Sequence, residues 1–368
     1  MLNGSERRLF VAATSQNDGK TTSTLGFLDS YRRMARSVGF IKPVGQRYVI
    51  VDGQTVDEDT VLIQRVLELR CPLKDMSPVA IDRNFTRNYL DDPEGVGPRL
   101  TASIEKSFAM AAKDNDFIVI EGTGHAGVGS VFDLNNARVA HLLNAKVVIV
   151  TLGGIGRPVD EIALNQTLFE KEGVEVIGVV ANKIQPDKLE QTRTYLDKAF
   201  TRRGLALLGA IPYTPRLTWP TVGQIAVAIK AKVLNGKPCL SNKVAEIVVG
   251  AMTPHNAIKH IKDNALLVVP GDRDDVVLAA VTTDLLRTDI ELAGIVLTGD
   301  MQLAVQTREL IMRTHIPLLS VEMATYETTA MIHDLTVKIL ETDAEKIQLA
   351  TSLIRQYVNL DKIWAALA

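Results

Sequence analysis

Residues 9–28 read LFVAATSQNDGKTTSTLGFL, and this stretch predicts a buried strand, a tight polar turn and the first turns of a helix. Residues 9–13 form a short apolar run, as is typical of strands that are buried on both faces of a parallel sheet. The segment from Thr14 to Lys20 is polar and contains Gly19, after which apolar residues return every three to four positions. This order indicates an α/β fold and places Lys20 and Thr21 at the carboxyl end of a strand, where open α/β sheets bind ligands.

The residue sequence of the turn is compatible with a phosphate-binding loop, or P-loop. In such a loop backbone NH groups surround the phosphates, Gly19 lets the chain approach closely, and the Lys20 ammonium neutralises the outer phosphate oxygens. The Thr21 hydroxyl would ligate Mg²⁺. We therefore predict ATP and Mg²⁺ as cofactors, with contacts from Asn17, Asp18, Gly19, Lys20, Thr21 and Thr22. Two observations count against this interpretation: Thr14 stands where the consensus has its first Gly, and Gly-Lys-Thr also occurs in plain turns.

Composition limits the classes of function. With 368 residues, of which 46% are hydrophobic and 23% charged, the chain is long enough for two domains. A formal net charge of -2 provides no overall positive field for nucleic acid or for an anionic membrane surface. The two cysteines, Cys71 and Cys239, have the spacing of neither a zinc site nor a redox pair. No apolar stretch has the length of a membrane span or of a signal peptide, so we expect a cytoplasmic protein without nucleic-acid or membrane partners.

Short apolar runs alternate with segments of helical period, which predicts a parallel sheet covered by helices. The predicted strands are residues 9–13, 39–41, 117–121, 146–151, 176–181 and 205–211 in a first domain, and 265–269, 293–297 and 318–321 in a second. Residues 213–238 are rich in Pro and Gly and are interpreted as an irregular tail with a linker. We predict a doubly wound, mostly parallel P-loop domain over residues 1–235 and a smaller α/β domain over residues 236–368.

Polar residues stand where several predicted strands end, and in a parallel sheet these ends meet at one edge. Glu121 closes the run FIVIE and Asp59 opens a helix, so that both, with Thr21, are predicted metal ligands. Asp59 at a helix start also suits the helix dipole alone. Asn182 either contacts a ligand or caps a turn, and the sequence leaves both roles open. Lys42 closes a buried strand, and its ammonium there either meets an anionic group or reaches solvent.

Seven ordered stretches of the first 235 residues resemble the dethiobiotin synthetase family of ATP-dependent ligases. They read TSQNDGKTT, FIKPVGQ, DEDTVLIQR, DFIVIEGTGH, VVIVTLGGIG, IGVVANKI and LLGAIPY. The resemblance implies that ATP and Mg²⁺ are served by Lys20, Thr21, Asp59 and Glu121. It also implies that Asn182 contacts the base and that Lys42 is catalytic, acting on the reacting carboxyl or carbamate oxygen. His125 stands where the family continues with another Gly, which puts the ligase substrate site in question.

The remaining residues resemble the DRTGG domain, whose motifs are found here as GDRDD at 271–275 and LTGD at 297–300. This domain order is similar to the N-terminal half of the long phosphotransacetylases, and the acetyltransferase catalytic domain is not expected in this chain. In those enzymes this half serves regulation and assembly, which implies a homo-oligomer and leaves a separate phosphotransacetylase open as a partner. The candidate effector contacts are Asp272, Arg273, Thr298 and Gly299. A capped turn without a ligand is the alternative interpretation of these residues.

Three functions stay open at this point. The first is an ATP-binding regulatory or metabolite-sensing protein, in which the second domain reads a small-molecule effector or mediates assembly. The second is an ATP-dependent ligase that activates a carboxylate or carbamate. The third is a scaffold stabilised by its nucleotide. The intact P-loop and carboxylates favour the first two, whereas His125 favours a sensor over a ligase.

Overall fold

A computed structural model of the chain describes residues 6–287 and 290–368 and divides into two compact units. The first unit runs to Thr214 and resumes with Ile339–Ala368, and the second unit is Pro215–Lys338. We predicted a boundary at residue 235 and a second domain that continues to residue 368. The second unit in the structure begins earlier and ends earlier than this prediction. Residues 215–235 belong to the second unit, and the last 30 residues return to the first.

The first unit is built on a six-stranded parallel sheet. Its strands are β1 Arg7–Ala13, β2 Val38–Ile41, β7 Phe117–Glu121, β8 Lys146–Leu152, β9 Val176–Ile184 and β10 Leu207–Pro212, numbered along the chain. They lie in the order β10-β9-β8-β1-β7-β2, and every neighbouring pair is parallel. Successive residues of β1 point to opposite faces, yet all from Arg8 onward are buried, so both faces of the sheet are covered. The predicted doubly wound parallel fold is confirmed.

Two small sheets accompany the main one. β3 Val44–Gly45 pairs in parallel with β6 Val79–Ala80, and β4 Tyr48–Val51 forms an antiparallel hairpin with β5 Gln54–Asp57. Asp52 and Gly53 form the hairpin turn, both with positive φ, as a two-residue turn of this kind requires. The hairpin register sets Tyr48 opposite Asp57, which brings Asp57 back toward the segment that follows β2.

Helices connect and cover these strands. Those of the first unit are α1 Lys20–Tyr31, α2 Glu58–Leu67, α3 Leu73–Met76, α4 Phe85–Asp91, α5 Pro93–Ala112, α6 Asn136–Leu142, α7 Arg157–Lys171, α8 Leu189–Thr201, α14 Ala344–Tyr357 and α15 Leu360–Ala366. Gly26 on α1 lies so close to Ile354 on α14 that a Cβ at Gly26 would overlap the Ile354 side chain. On α15, Trp364 stacks on Tyr31, with ring centroids 5.4 Å apart. The buried apolar stripes of these helices explain why the C-terminal segment joins the first unit.

The second unit contains a five-stranded sheet with one antiparallel edge. Its elements are α9 Val222–Ala228, β11 Lys232–Asn235, β12 Glu246–Val249, α10 Pro254–Ala257, β13 Ala265–Pro270, α11 Asp274–Leu286, β14 Leu292–Thr298, α12 Val305–Ile311, β15 Leu318–Ser320 and α13 Thr325–His333. The strand order is β11-β15-β14-β13-β12, in which β11 alone runs antiparallel to its neighbour. The predicted smaller α/β domain is confirmed.

The segment interpreted as an irregular tail and linker is ordered structure. Thr221 begins α9 with a capping box, in which its side chain and that of Gln224 each bond the other's backbone NH. β11 then pairs with β15. The Pro and Gly residues of this segment mark the turns between short elements, which composition alone does not separate from a linker. None of the helices in residues 6–287 and 290–368 has the length and apolar character needed to span a bilayer.

Candidate functional site: a phosphate loop beside a buried carboxylate cluster

The loop between β1 and α1 is held by contacts of its own side chains. Asp18 is buried, and its Oδ2 accepts hydrogen bonds from Thr14 Oγ1 at 2.8 Å and from the Ser15 NH at 2.6 Å. Thr14 Oγ1 also lies 3.1 Å from Oγ1 of Thr151 on β8. Thr14, which replaces the consensus Gly, therefore ties the loop to the neighbouring strand. Gly19 has φ of 107°, a conformation that favours glycine.

Lys20 begins α1 and its ammonium lies over the loop. Nζ donates to the carbonyl of Ser15 at 3.0 Å and to that of Gly124 at 3.3 Å, so it bridges the loop and the segment after β7. Burial lowers the pKa of Lys20, and the charges of Glu121 and Asp18 partly oppose that shift. An ammonium whose partners are neutral carbonyls in a desolvated site is ready to receive an anion.

Lys42, directly after β2, lies among three buried carboxylates. Its Nζ is 2.9 Å from Asp57 Oδ1 and 3.4 Å from Glu121 Oε1, and it also forms an ion pair with Asp59 Oδ2. Desolvation by itself lowers the pKa of Lys42, but Asp59, Glu121 and Asp57 outweigh it and the pKa is raised. Of the two alternatives drawn from the sequence, the ammonium meets anionic groups and does not reach solvent.

Asp57 is the member of this cluster that sequence reasoning missed. It ends β5 and is the N-cap of α2, where its Oδ1 accepts the NH of Asp59 at 2.9 Å. Its side chain is fully buried. Two features of the sequence could have pointed to Asp57. The Asp-Gly pair at Asp52 and Gly53 predicts a hairpin turn, which returns the chain to the site. The acidic residues Asp57, Glu58 and Asp59 are typical of a helix start.

The oxygen donors at this edge are of the chemical type that divalent cations bind. Glu121 Oε1 accepts the Thr21 hydroxyl at 3.2 Å, which joins two of the predicted metal ligands, and Asp59 belongs to the same cluster through Lys42. Glu121 Oε2 and Asp57 Oδ2 are buried without a hydrogen-bond partner. Carboxylate and hydroxyl oxygens are the ligands that Mg²⁺ prefers. Among the described residues, no group of three or more His, Cys, Asp or Glu side chains is placed to hold a metal ion.

Asn182, at the end of β9, lies against the phosphate loop. Its Nδ2 donates to the carbonyl of Asp18 at 2.7 Å, and its Oδ1 accepts the NH of Lys183 at 2.9 Å. Lys183 in turn donates to the carbonyl of Asn17 at 2.7 Å. Nδ2 of Asn182 thus braces the loop and Oδ1 closes a local turn, and the predicted contact of Asn182 with a base stays a prediction.

His125 lies on the exposed side of the loop after β7. Its Nδ1 accepts the NH of Gly127 at 3.2 Å, which closes a short turn. Asn136 fastens the same loop from α6 by donating to the carbonyls of Thr123 at 2.8 Å and His125 at 2.7 Å. His125 therefore has a turn role within this loop.

The two motifs of the second unit lie side by side, as the sequence predicted. β13 and β14 are parallel neighbours, and Pro270 is in register with Thr298. Arg273 donates to both carboxylate oxygens of Asp275, at 2.8 and 3.1 Å, and to the carbonyl of Met252 at 2.9 Å. The hydrogen bond from Arg273 lowers the pKa of Asp275. These contacts close the turn internally, which agrees with the capped-turn interpretation.

The other effector candidates take part in the same edge. Thr298 is buried, and its Oγ1 lies 2.7 Å from Oγ1 of Thr325 at the start of α13. Gly299 has a positive φ of 83° and its NH donates to the carbonyl of Met323. The binding of an effector by Asp272, Arg273, Thr298 and Gly299 stays a prediction.

Two family models match successive parts of the chain. The model of the AAA domain family matches residues 7–221, and that of the DRTGG domain matches residues 224–335. The chain belongs to the AAA domain family, with a DRTGG domain following the P-loop unit. The predicted order of a P-loop domain and a DRTGG domain is confirmed.

Among characterised proteins, the chain is similar to phosphate acetyltransferases. That of Pseudomonas putida is 28% identical over 370 residues, covering 96% of this chain and 51% of the relative. That of Escherichia coli is 21% identical over 383 residues, covering 97% and 52%. The chain therefore spans about half the length of the curated relatives it matches. The predicted resemblance to one half of the phosphotransacetylases is confirmed.

Solved structures resemble the units separately. The septum site-determining protein MinD of Pyrococcus horikoshii, complexed with Mg-ADP, has a TM-score of 0.35 and 16% identity over 58% of this chain and 83% of its own. The CBS and DRTGG domains of Clostridium perfringens pyrophosphatase, complexed with diadenosine tetraphosphate, have a TM-score of 0.27 and 14% identity over 37% and 60%.

Proposed function

We propose that the first unit binds ATP together with Mg²⁺ and that the chain is a regulatory or metabolite-sensing protein. The observation that carries the proposal is the position of the Lys20 ammonium. It is desolvated and lies at the start of a helix, and within residues 6–287 and 290–368 it donates its hydrogen bonds to the neutral carbonyls of Ser15 and Gly124. A phosphate group at this position would gain the ammonium, the loop amides and the helix dipole together.

The residues that would hold the two parts of the cofactor lie next to each other. Lys20 would contact the outer phosphates, and the oxygens of Thr21, Asp59 and Glu121 would ligate the metal. When bound, Mg²⁺ would neutralise phosphate charge and orient the outer phosphates. Asp18 and Asn182 would keep the loop in shape through the contacts described above.

Calorimetry on the full chain tests this function. Wild type is titrated with Mg-ATP, and Lys20→Ala is expected to weaken binding by 100-fold or more, because a charge-assisted contact is lost in a desolvated site; this corresponds to about 2.7 kcal/mol. Lys106→Ala, an exposed lysine on α5, is the matched control and is expected to bind as wild type does. Unchanged affinity in Lys20→Ala would remove the site assignment.

A ligase remains the second candidate because Lys42 carries a buried charge beside the loop. We propose a direct test by steady-state ATP hydrolysis with and without a panel of small carboxylic acids and amines. A sensor is expected to show slow turnover that none of these compounds stimulates. Stimulation by one acid or amine, abolished in a Lys42→Ala chain that still binds Mg-ATP, would favour the ligase.

We assign the sensing or assembly role to the DRTGG unit by its family and by the paired motifs at the ends of β13 and β14. A homo-oligomer or a separate phosphotransacetylase would be the partner. Light scattering of the full chain, with and without Mg-ATP, tests for assembly. A strictly monomeric chain under both conditions would remove the assembly role.

A further inference from the structure

We propose that Lys42 is an internal substitute for the divalent cation: its ammonium neutralises the carboxylates of Asp57, Asp59 and Glu121, and the metal takes over these carboxylates only by displacing it. The inference rests on the proposed nucleotide site and adds a regulatory step to it. Metal and nucleotide would then load together, since the nucleotide provides a new anionic partner for the displaced ammonium.

The three carboxylates surround one ammonium, and all four side chains are more than nine-tenths buried. Three carboxyl groups around one ammonium provide more oxygen ligands than the ammonium can engage, and a divalent cation in its place would use them. The unpartnered oxygens Glu121 Oε2 and Asp57 Oδ2 are a second, independent sign that the cluster has coordinating capacity left.

The ammonium and a metal ion are mutually exclusive in this cluster. Mg²⁺ binds oxygens at about 2.0–2.1 Å. Lys42 Nζ is itself 2.9 Å from Asp57 Oδ1 and 3.4 Å from Glu121 Oε1, and it is paired with Asp59. An ion bound to Asp59 and Glu121 would therefore lie against a like charge in a desolvated pocket. Like charges at that separation repel strongly, so one of the two cations must leave.

The displaced Lys42 ammonium would move toward Lys20, where the phosphates are expected to bind. Its pKa is lowered in part by the charge of Lys42, which places the two ammonium groups within electrostatic reach of each other. Phosphate oxygens bound at Lys20 would attract the Lys42 ammonium as well. Because the nucleotide would supply this additional anionic partner, metal binding by the nucleotide-free protein should be weaker than binding by the nucleotide complex.

The competition between the Lys42 ammonium and the metal ion is measured by titrating the nucleotide-free protein with Mn²⁺. The electron paramagnetic resonance signal of free Mn²⁺ reports how much of the ion is unbound. Lys42→Met removes the internal cation and is expected to raise Mn²⁺ affinity at least tenfold over wild type. Lys42→Gln, which removes the charge and retains a hydrogen-bond donor on a shorter side chain, is expected to give the same gain. Lys42→Arg, which keeps the charge, and Lys146→Met, at the other end of the sheet on β8, are expected to bind Mn²⁺ as wild type does.

A second substitution locates the bound ion. Glu121→Gln in the Lys42→Met chain is expected to return Mn²⁺ affinity to the wild-type level, because Glu121 Oε2 is the unpartnered oxygen assigned to the metal. If either Lys42 variant unfolds without metal, thermal melts with millimolar Mn²⁺ are used instead, and recovery of a cooperative transition is expected.

Failure of this inference is separable from failure of the proposed function. Folded Lys42→Met and Lys42→Gln with wild-type Mn²⁺ affinity, or unfolded variants that Mn²⁺ does not rescue, would overturn the competition even if Mg-ATP binds. A gain in Mn²⁺ affinity would support it even if Lys20→Ala leaves nucleotide affinity unchanged, since the assay contains no nucleotide.

Discussion

Lys42 Nζ lies 2.9 Å from Asp57 Oδ1, and this ion pair joins the end of β2 to the residue that caps α2. The same Oδ1 accepts the NH of Asp59, so one carboxylate oxygen fixes both the lysine and the helix start. Burial raises the pKa of Asp57 and of Glu121, and the charge of Lys42 acts to lower both. The lysine therefore decides how much of the cluster is ionised in the folded protein.

Removing this lysine should make stability depend on pH. A carboxyl with a raised folded pKa contributes stability below its unfolded pKa, and that contribution is lost as pH rises through the folded pKa. Lys42→Met raises the pKa values of Asp57 and Glu121 further. We expect this variant to approach wild-type stability at pH 5 and to be less stable by about 3–5 kcal/mol at pH 8.

Urea unfolding at both pH values, in metal-free buffer, measures this difference. Lys146→Met is the control, because its half-buried ammonium pairs with an exposed carboxylate of Glu175. Its stability difference from wild type should be the same at pH 5 and pH 8. An equal destabilisation of Lys42→Met at the two pH values would contradict the electrostatic account.

The glycine of the phosphate loop makes a second prediction. Gly19 has φ of 107°, and a Cβ there would overlap Nδ2 of Asn182. Gly19→Ala should cost about 1–3 kcal/mol in backbone strain and should displace the brace that Asn182 provides. We expect Mg-ATP affinity to fall by tenfold or more, measured by calorimetry on the folded variant.

Gly173→Ala is the control that introduces backbone strain without an overlap of side-chain atoms. Gly173 also has positive φ, 71°, but a Cβ there would meet nothing within 4 Å, and the residue lies after α7, away from the loop. This variant should lose about 1 kcal/mol of stability and keep Mg-ATP affinity. An equal loss of affinity in both variants would show that general destabilisation is responsible.

The strand ends were predictable, because buried parallel strands are apolar throughout and a polar residue marks where each ends. Glu121 after FIVI and Lys42 after GFI were found in this way. Asp57 was missed because it closes an antiparallel hairpin outside the main sheet; the apolar run of its first strand, β4, is largely exposed, and no strand was predicted there. The neutralisation of Lys42 by three carboxylates was beyond sequence reasoning, since it depends on the hairpin register.

The assignment of the C-terminal helices shows a different limit. The apolar stripe of α14 predicts that the helix packs against something, and periodicity is the same whichever unit supplies the partner. The deciding contact is local: Gly26 has no side chain, and Ile354 occupies the space. Complementarity of this kind between residues more than 300 positions apart has no signature in a single sequence.

The same contact predicts where stability lies. Ile354 is fully buried on α14, so Ile354→Ala should destabilise the first unit by about 2–5 kcal/mol, although the residue follows the second unit in the chain. Gln348→Ala, exposed on the same helix, is the control and should change stability by less than about 0.5 kcal/mol. Hydrogen exchange of β1 and β7 amides reports the first unit specifically, and unchanged exchange there would contradict the packing.

Arg273 decides between the two interpretations of the second unit's motif. Its guanidinium donates hydrogen bonds to Asp275 and to the carbonyls of Met252 and Gly250. These contacts connect the segment after β12 to the start of α11. Arg273→Ala should therefore cost about 1 kcal/mol, seen as a fall of roughly 3–6 °C in the melting temperature of the second unit. Arg313→Ala, an exposed arginine of the same unit, should leave the melt unchanged. Mg-ATP affinity should be that of wild type in both. Light scattering completes the comparison: a capped turn predicts the same oligomeric state for Arg273→Ala and wild type, whereas a changed state with an unchanged melt would establish Arg273 as a contact residue.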